Sequence, residues 1–403
     1  MRPELPIPAP LRGSDAGSFA QQTISERLPR IGRRVLAENA FPAEVAARLQ
    51  ALIDELPHGK IRLLADTAAP DARAWAEYVA PHLGQNWLQV PWFFAETYFY
   101  RRILEATGYF EEGVGYHVDP FRPHKAQNLE GSKSRARVLA RRVVQWQDAM
   151  AAPEVLKQLF SLALWGNQGD LSMWPGGGEE MPSYTDEDVA HAHVLVDDRD
   201  TALRLLRQWK DGEIRVGIVE DNVGFELISD LALVDVLVGA KWADSVVLDV
   251  KFHPTFVSDA VAHDVRETIR WLTLAEDEVV STWGKRLQGY ADKGQIALRE
   301  DPFWNSPLEG WKLPAGLRQG LAEAALVIVK GDANYRRLLG DRHWDYSTPF
   351  APIVRYFPAP LLALRTLKSN LAAGLDADRV RELNERDRRW VVSGEWGVMQ
   401  FAA

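Results

Sequence analysis

Apolar positions change their period along this chain, and the change divides it. Over residues 41–151 they recur at helical spacing, with few β-branched runs. Residues 93–104 read as one buried helix and 138–146 as another. The polar stretch 113–131, with two prolines, reads as a loop; its segment 119–125 is either solvated or reaches a neighbouring site. Pro175-Gly176-Gly177-Gly178 then breaks the helical pattern, as a linker would. Beyond it, short β-branched runs alternate with helical segments. Strands are expected at 193–197, 214–219, 245–250 and 325–329, with helices through Leu203, Leu206 and Trp209, then over 225–238, 269–274 and 335–339. An apolar run follows at 361–364, and a last strand or hairpin at 390–401. Near-continuous apolar strands in βαβα order predict an α/β fold with a mostly parallel, doubly wound sheet. The expected division is a mainly helical region over residues 1–180 and an α/β domain over 181–403.

Composition narrows the function classes. The 403 residues include no cysteine, which removes disulfides, thiolate zinc sites and cysteine nucleophiles together. A net charge of -9 disfavours general binding to nucleic-acid backbone, while a local basic pocket stays compatible with it. No apolar stretch approaches the ~20 residues that span a bilayer. Residues 1–34, rich in proline and arginine, lack the apolar segment of a signal peptide, so the expected location is the cytoplasm. Among the 15 tryptophans, Trp75, Trp87, Trp92, Trp146, Trp165 and Trp174 in the first half read as ring packing between helices in preference to a ligand cage. Oligomeric state is left open.

Candidate chemistry gathers where apolar runs stop. Asp221 and Asn222 end one run and offer a carboxylate and a carboxamide oxygen, both suited to Mg²⁺ or Mn²⁺. Gly224 would admit a ligand close to the backbone, and Glu226 lies one turn into the next helix. Read alone, the segment serves equally as a helix cap. Asp259 in isolation reads first as an N-cap. Lys330-Gly331-Asp332-Ala333-Asn334-Tyr335 brings a cation, a carboxylate, a carboxamide and a helix N-terminus together after an apolar strand, as a phosphate site does, or forms a plain capped turn. Arg365-Thr366-Leu367-Lys368 suits a phosphate or sugar phosphate, or a solvated basic turn. Asn167 and Asp170 either face a substrate or cap the next helix. His191 and His193 would share a strand face without a third ligand, and His263 and Asp264 read as supporting or surface residues. The GxSxG, GxxxxGK[ST] and GxGxxG motifs are missing at these turns, against a serine hydrolase, a P-loop nucleotidase or a dinucleotide enzyme.

Taken in order, Leu164-Trp165-Gly166-Asn167, Asp221-Asn222-Val223-Gly224-Phe225-Glu226-Leu227, Phe256-Val257-Ser258-Asp259, Lys330-Gly331-Asp332-Ala333-Asn334-Tyr335-Arg336 and Arg365-Thr366-Leu367-Lys368 resemble the damage-control phosphatase family. They are similar to its third subfamily, marked by an Arg-Thr-x-Lys motif and including proteins also named acidic-residue methyltransferases. The resemblance implies a helical N-terminal region joined to a three-layer αβα domain. It also implies hydrolysis of sugar phosphates such as fructose 1-phosphate, with Mn²⁺, Co²⁺ or Ni²⁺ preferred and Mg²⁺ admissible. Carried over, Asp221, Asn222 and Asp259 would be metal ligands; in the mechanism that the residues and the resemblance suggest together, Asp259 or Asp332 would orient the nucleophile. Glu226, Lys330, Asp332, Asn334, Arg365 and Lys368 would contact the substrate, while Asn167, Asp170 and Asp119 would read sugar hydroxyls. No nucleic acid or membrane partner is expected. Two other readings stay open: carboxyl methyl transfer from S-adenosylmethionine, although no glycine-rich turn follows residues 193–197, and a non-catalytic sugar-phosphate sensor.

Overall fold

The computed structural model describes residues 2–166, 193–210 and 212–403. Seven strands form its sheet: β1 (Val194–Asp197), β2 (Arg215–Val219), β3 (Ser245–Lys251), β4 (Ile296–Asp301), β5 (Leu326–Lys330), β6 (Leu361–Thr366) and β7 (Gly397–Ala402). Their spatial order is β1-β7-β6-β5-β2-β3-β4. Strands β2 to β6 are mutually parallel; β7 runs antiparallel to β6, and β1 runs parallel to β7. From β2 the chain steps outward through β3 to β4, then returns to the other side of β2 for β5 and β6. The order therefore reverses between β2 and β5, where an open α/β sheet leaves a crevice beyond its carboxyl strand ends.

Strand alternation sorts the apolar residues onto two faces. Val216, Ile218, Val246, Leu248, Leu326, Ile328, Leu362 and Leu364 turn to one core, while Val219, Val327, Val329, Leu361 and Ala363 turn to the other. Each such valine, leucine or isoleucine, fully buried, contributes about 1.5–3 kcal/mol. Helices cover both faces, giving three layers. The N-terminal helices divide between them. Trp92–Thr107 shares a core with Gly331–Leu339, whereas Lys133–Ala149 and Ala152–Trp165 share the other with Phe225–Gly239. Trp75, Trp87, Trp92, Trp146 and Trp165 are all buried among them.

The Trp92–Thr107 helix is buried along its whole length, charges included, because each charge has a partner. Arg101 binds Asp66 and Asp71, Arg102 binds Glu55 and Glu105, and Glu96 binds Arg336. Several expectations need correcting. Residues 122–130 are not loop but a helix, Arg122–Glu130; Pro123 stands in its first turn, where a missing N–H costs nothing. The helices after Asp259 and Lys330 begin at Ala262 and Gly331, earlier than the apolar spacing indicated. The chain end is a short turn, Trp390–Val392, followed by β7. Strand β4 and the helix Glu278–Asp292 were not anticipated: β4 is an edge strand with only Ile296 fully buried, so its apolar pattern is weak. The glycine linker and the boundary at residue 180 lie outside the described residues, as does His191. Among the described residues, no helix is long and apolar enough to cross a membrane.

Candidate active site

Beyond β2 the chain runs through Glu220, Asp221 and Asn222 before the helix Phe225–Gly239. Neither Asp221 nor Asn222 caps that helix; its N-cap is Gly224, with no side-chain hydrogen bond. Gly224 has φ +77°, and a β-carbon there would stand 3.2 Å from Asn128. Its closeness is to the Arg122–Glu130 helix, so the glycine serves packing where sequence suggested ligand approach. Asn222 forms a β-bridge with Asp259, flanked by Val223 N–H donating to Ser258 O and Ala260 N–H donating to Asp221 O. Asp259 is no cap either, since Val261 is the N-cap of the helix Ala262–Thr273, and Asp264 accepts from its N–H at 3.0 Å. Phe256 and Val257, just before, have φ of +47° and +70°. Left-handed backbone at such residues costs about 1–3 kcal/mol each and persists only where surroundings enforce it. Here the Phe256 ring packs against Tyr100, with centroids 4.9 Å apart.

These loops meet at a cavity of about 710 Å³ at the carboxyl strand ends. Asp221, Asn222, Glu226, Asp259, Asp332 and Lys368 line it, together with Gly331, Thr366 and Arg336. Lys330, Asn334 and Arg365 sit behind its wall. Strand alternation explains Arg365: Leu364 and Thr366 face the cavity, and the residue between them points away. Arg365 is fully buried, donating to Asp332 Oδ1 at 2.9 Å and to Ser369 Oγ at 2.7 Å, over the Tyr335 ring. Lys330 lies on the opposite side of β5 from Val329 and donates to Glu226 at 3.0 Å and Asp230 at 2.9 Å, residues one turn apart on the Phe225–Gly239 helix. Asn334 donates to the carbonyls of Glu220 and Lys330. Asn167 and Asp170 lie outside the described residues, and Asp119 is spent on Lys125 at 2.9 Å. His263 is exposed beside Arg122, and Asp264 pairs with buried Lys125.

Sequence reasoning missed Lys251, Asp230 and Glu220. Lys251, the last residue of β3, places Nζ 3.2 Å from Asp259 Oδ2, 3.2 Å from the Glu220 carbonyl and 3.4 Å from Asn334 Oδ1. Glu226 and Asp230, four residues apart in a largely apolar helix, were the legible signal for a buried cation opposite.

Charge decides what the cavity suits. Burial, then the charges of Glu226 and Asp259, push the Asp221 carboxyl well above the usual carboxylate range. Burial likewise raises Asp259, with Lys251 opposing it. Burial and the neighbouring Asp230 charge push Glu220 well up. Asp332 differs: burial works to raise it, but Arg365 and then Arg336 overcome burial and hold it below the ordinary value. Among the described residues, no three His, Asp or Glu side chains gather as a metal cage. The donors that line the cavity at the β2 end are two aspartates and an asparagine, with Asn222 Nδ2 bridging Asp221 Oδ2 at 2.6 Å and Glu226 Oε2 at 3.1 Å. Hard oxygens gathered this closely, with lysines behind Asp259 and Glu226 and an amide between Asp221 and Glu226, fit a small divalent cation.

The chain matches the family model described as the damage-control phosphatase ARMT1-like domain over residues 23–383. It is similar to damage-control phosphatase ARMT1 of Mus musculus, at 32% identity over 98% of each chain. Against the protein of that name from Xenopus laevis, identity is 32% over 98% of this chain and 99% of the relative. Against that from Homo sapiens it is 31% over 98% of each.

Proposed function

We propose, because the chain belongs to the ARMT1-like damage-control phosphatase family, that it releases phosphate from small phosphorylated metabolites, sugar phosphates such as fructose 1-phosphate among them, with a divalent cation bound. The observation that carries this reading is the meeting of Asp221, Asn222 and Asp259 on one cavity with Asp332, Lys368 and the N-terminal turn of the helix Gly331–Leu339. The acidic part suits a cation, and the lysine and helix terminus suit a phosphoryl group. Arg365-Thr366-Leu367-Lys368 supports placement in the third subfamily.

Asp221, Asn222 and Asp259 would hold Mn²⁺, Co²⁺, Ni²⁺ or Mg²⁺. Bound there, such a cation supplies polarisation of a phosphoryl oxygen and a lowered pKa for water. Lys251 keeps Asp259 oriented and offsets its charge. Asp332 is the ionised acceptor of the site. Arg365 and Ser369 both engage its Oδ1, which leaves Oδ2 to orient the attacking water. Attack forms a new P–O bond as the water gives up a proton, the ester P–O bond breaks, and the leaving oxygen takes up that proton to leave as a hydroxyl. Lys368 and the N–H groups at the start of the Gly331–Leu339 helix offset charge on the equatorial oxygens. The test is phosphate release from a panel of sugar monophosphates, with each of the four metals in turn. Release with at least one metal supports the reading; none with any metal overturns it.

A further inference from the structure

We propose that Arg27 and Arg30 form a second anion subsite in the wall of the same cavity, and that among phosphomonoesters the chain prefers those carrying another anionic group, such as a carboxylate, remote from the ester. The proposal rests on the phosphatase reading above and narrows it.

The segment Thr23–Arg27 winds directly into the helix Leu28–Glu38. Leu28, Gly32 and Val35 bury one face, and Arg27, Arg30 and Arg34, spaced by three and four residues, form a stripe on another. All three arginines line the cavity that holds Asp221 and Asp332. Their commitments differ. Arg34 is held by Glu38 at 2.6 Å and stands 2.5 Å from His124 Nδ1. Elsewhere around the cavity, Arg336 is matched by Glu96 and Asp341, and Arg365 behind the wall is matched by Asp332. Among the described residues, no hydrogen bond or ion pair engages Arg27 or Arg30. Two unneutralised guanidinium groups on adjacent turns thus face a cavity whose other cations are mostly matched.

The scissile phosphoryl group does not need them. Lys368 and the N-terminus of the Gly331–Leu339 helix already supply positive potential beside Asp221. A neutral sugar end would leave both guanidinium groups facing hydroxyls alone. A carboxylate or second phosphate matches their planar donors two oxygens at a time.

The experiment uses esters that differ at the remote end: glucose 6-phosphate against 6-phosphogluconate, and glycerol 3-phosphate against 3-phosphoglycerate. In the native chain the carboxylated member should have the higher kcat/KM by about tenfold or more, as expected for hydrogen bonds between charged groups. The double substitution Arg27→Gln, Arg30→Gln should collapse that ratio towards one by raising KM for the carboxylated esters alone. Lysine at both positions should restore part of it. A ratio near one in the native chain overturns the proposal, as does an equal loss for both members in the variant. Failure of the phosphatase reading would look different, with no phosphate released from any ester. Calorimetric titration then still decides the subsite: 6-phosphogluconate must bind more tightly than glucose 6-phosphate, and the double variant must erase the difference.

Discussion

Asp221 and Gly331 stand so close that a β-carbon built on the glycine would lie 2.0 Å from Asp221 Oδ2. The contact joins the two loops that flank the reversal of strand order, one after β2 and one after β5. Gly331 also has φ +83°, a conformation that costs other residues about 1–2 kcal/mol. Gly331→Ala must therefore displace the Asp221 carboxylate or distort the helix start. Mn²⁺ affinity and phosphate release should fall together by more than about tenfold, while thermal melting shows a stability loss of only about 1–2 kcal/mol. Native activity in this variant would place Asp221 outside the chemistry.

Lys330 is a counter-charge within the fold. Burial works to lower its pKa, but Asp230, Glu226 and Glu220 overcome that and raise it above the ordinary lysine value. Lys330→Met would leave buried carboxylates without their cation, a loss of about 3–5 kcal/mol in urea unfolding at neutral pH. Adding Asp230→Asn should recover part of it. A loss under about 1 kcal/mol would show that these acids are neutral without the lysine.

Stability should also depend on pH through Asp71. Burial alone would raise its carboxyl, but His253, with Nε2 3.6 Å away, and Arg101, which donates to both carboxylate oxygens, overcome burial and hold it well below 3.8. A depressed folded pKa stabilises the fold above the unfolded value and loses that contribution as pH falls through the folded one. Asp71→Asn should thus cost about 3 kcal/mol at neutral pH. The gap between native and variant urea midpoints should narrow steadily on acidification below 3.8. A gap that stays constant with pH would contradict the pairing with Arg101.

The legible part of the sequence was whatever a single element carries. The apolar runs of β2, β3, β5 and β6 announce strands buried on both faces, and Asp221-Asn222 stands out because it halts one of them. Arg365 and Lys368 look alike in sequence, yet strand alternation sends Arg365 behind the wall, while Lys368, just past β6, lines the cavity. Lys251 and its partner Glu220 were hidden for a different reason. Each is explained only by a partner on another strand or helix, and buried ion pairs leave no local pattern. Arg27 and Arg30 resemble any solvated arginines until the tertiary fold lays their helix over the strand ends. The Arg122–Glu130 helix was obscured by Pro123, which reads as a breaker but fits a first turn.

We propose that Asp221, with Asn222 and Asp259, holds a divalent cation on which phosphate release depends. The most direct measurement is Mn²⁺-supported phosphate release from fructose 1-phosphate by the native chain, the native chain with EDTA, and Asp221→Ala with a melting check. Release is expected in the first case and, in both others, a fall of at least about a hundredfold. Release that survives both EDTA and Asp221→Ala would contradict it.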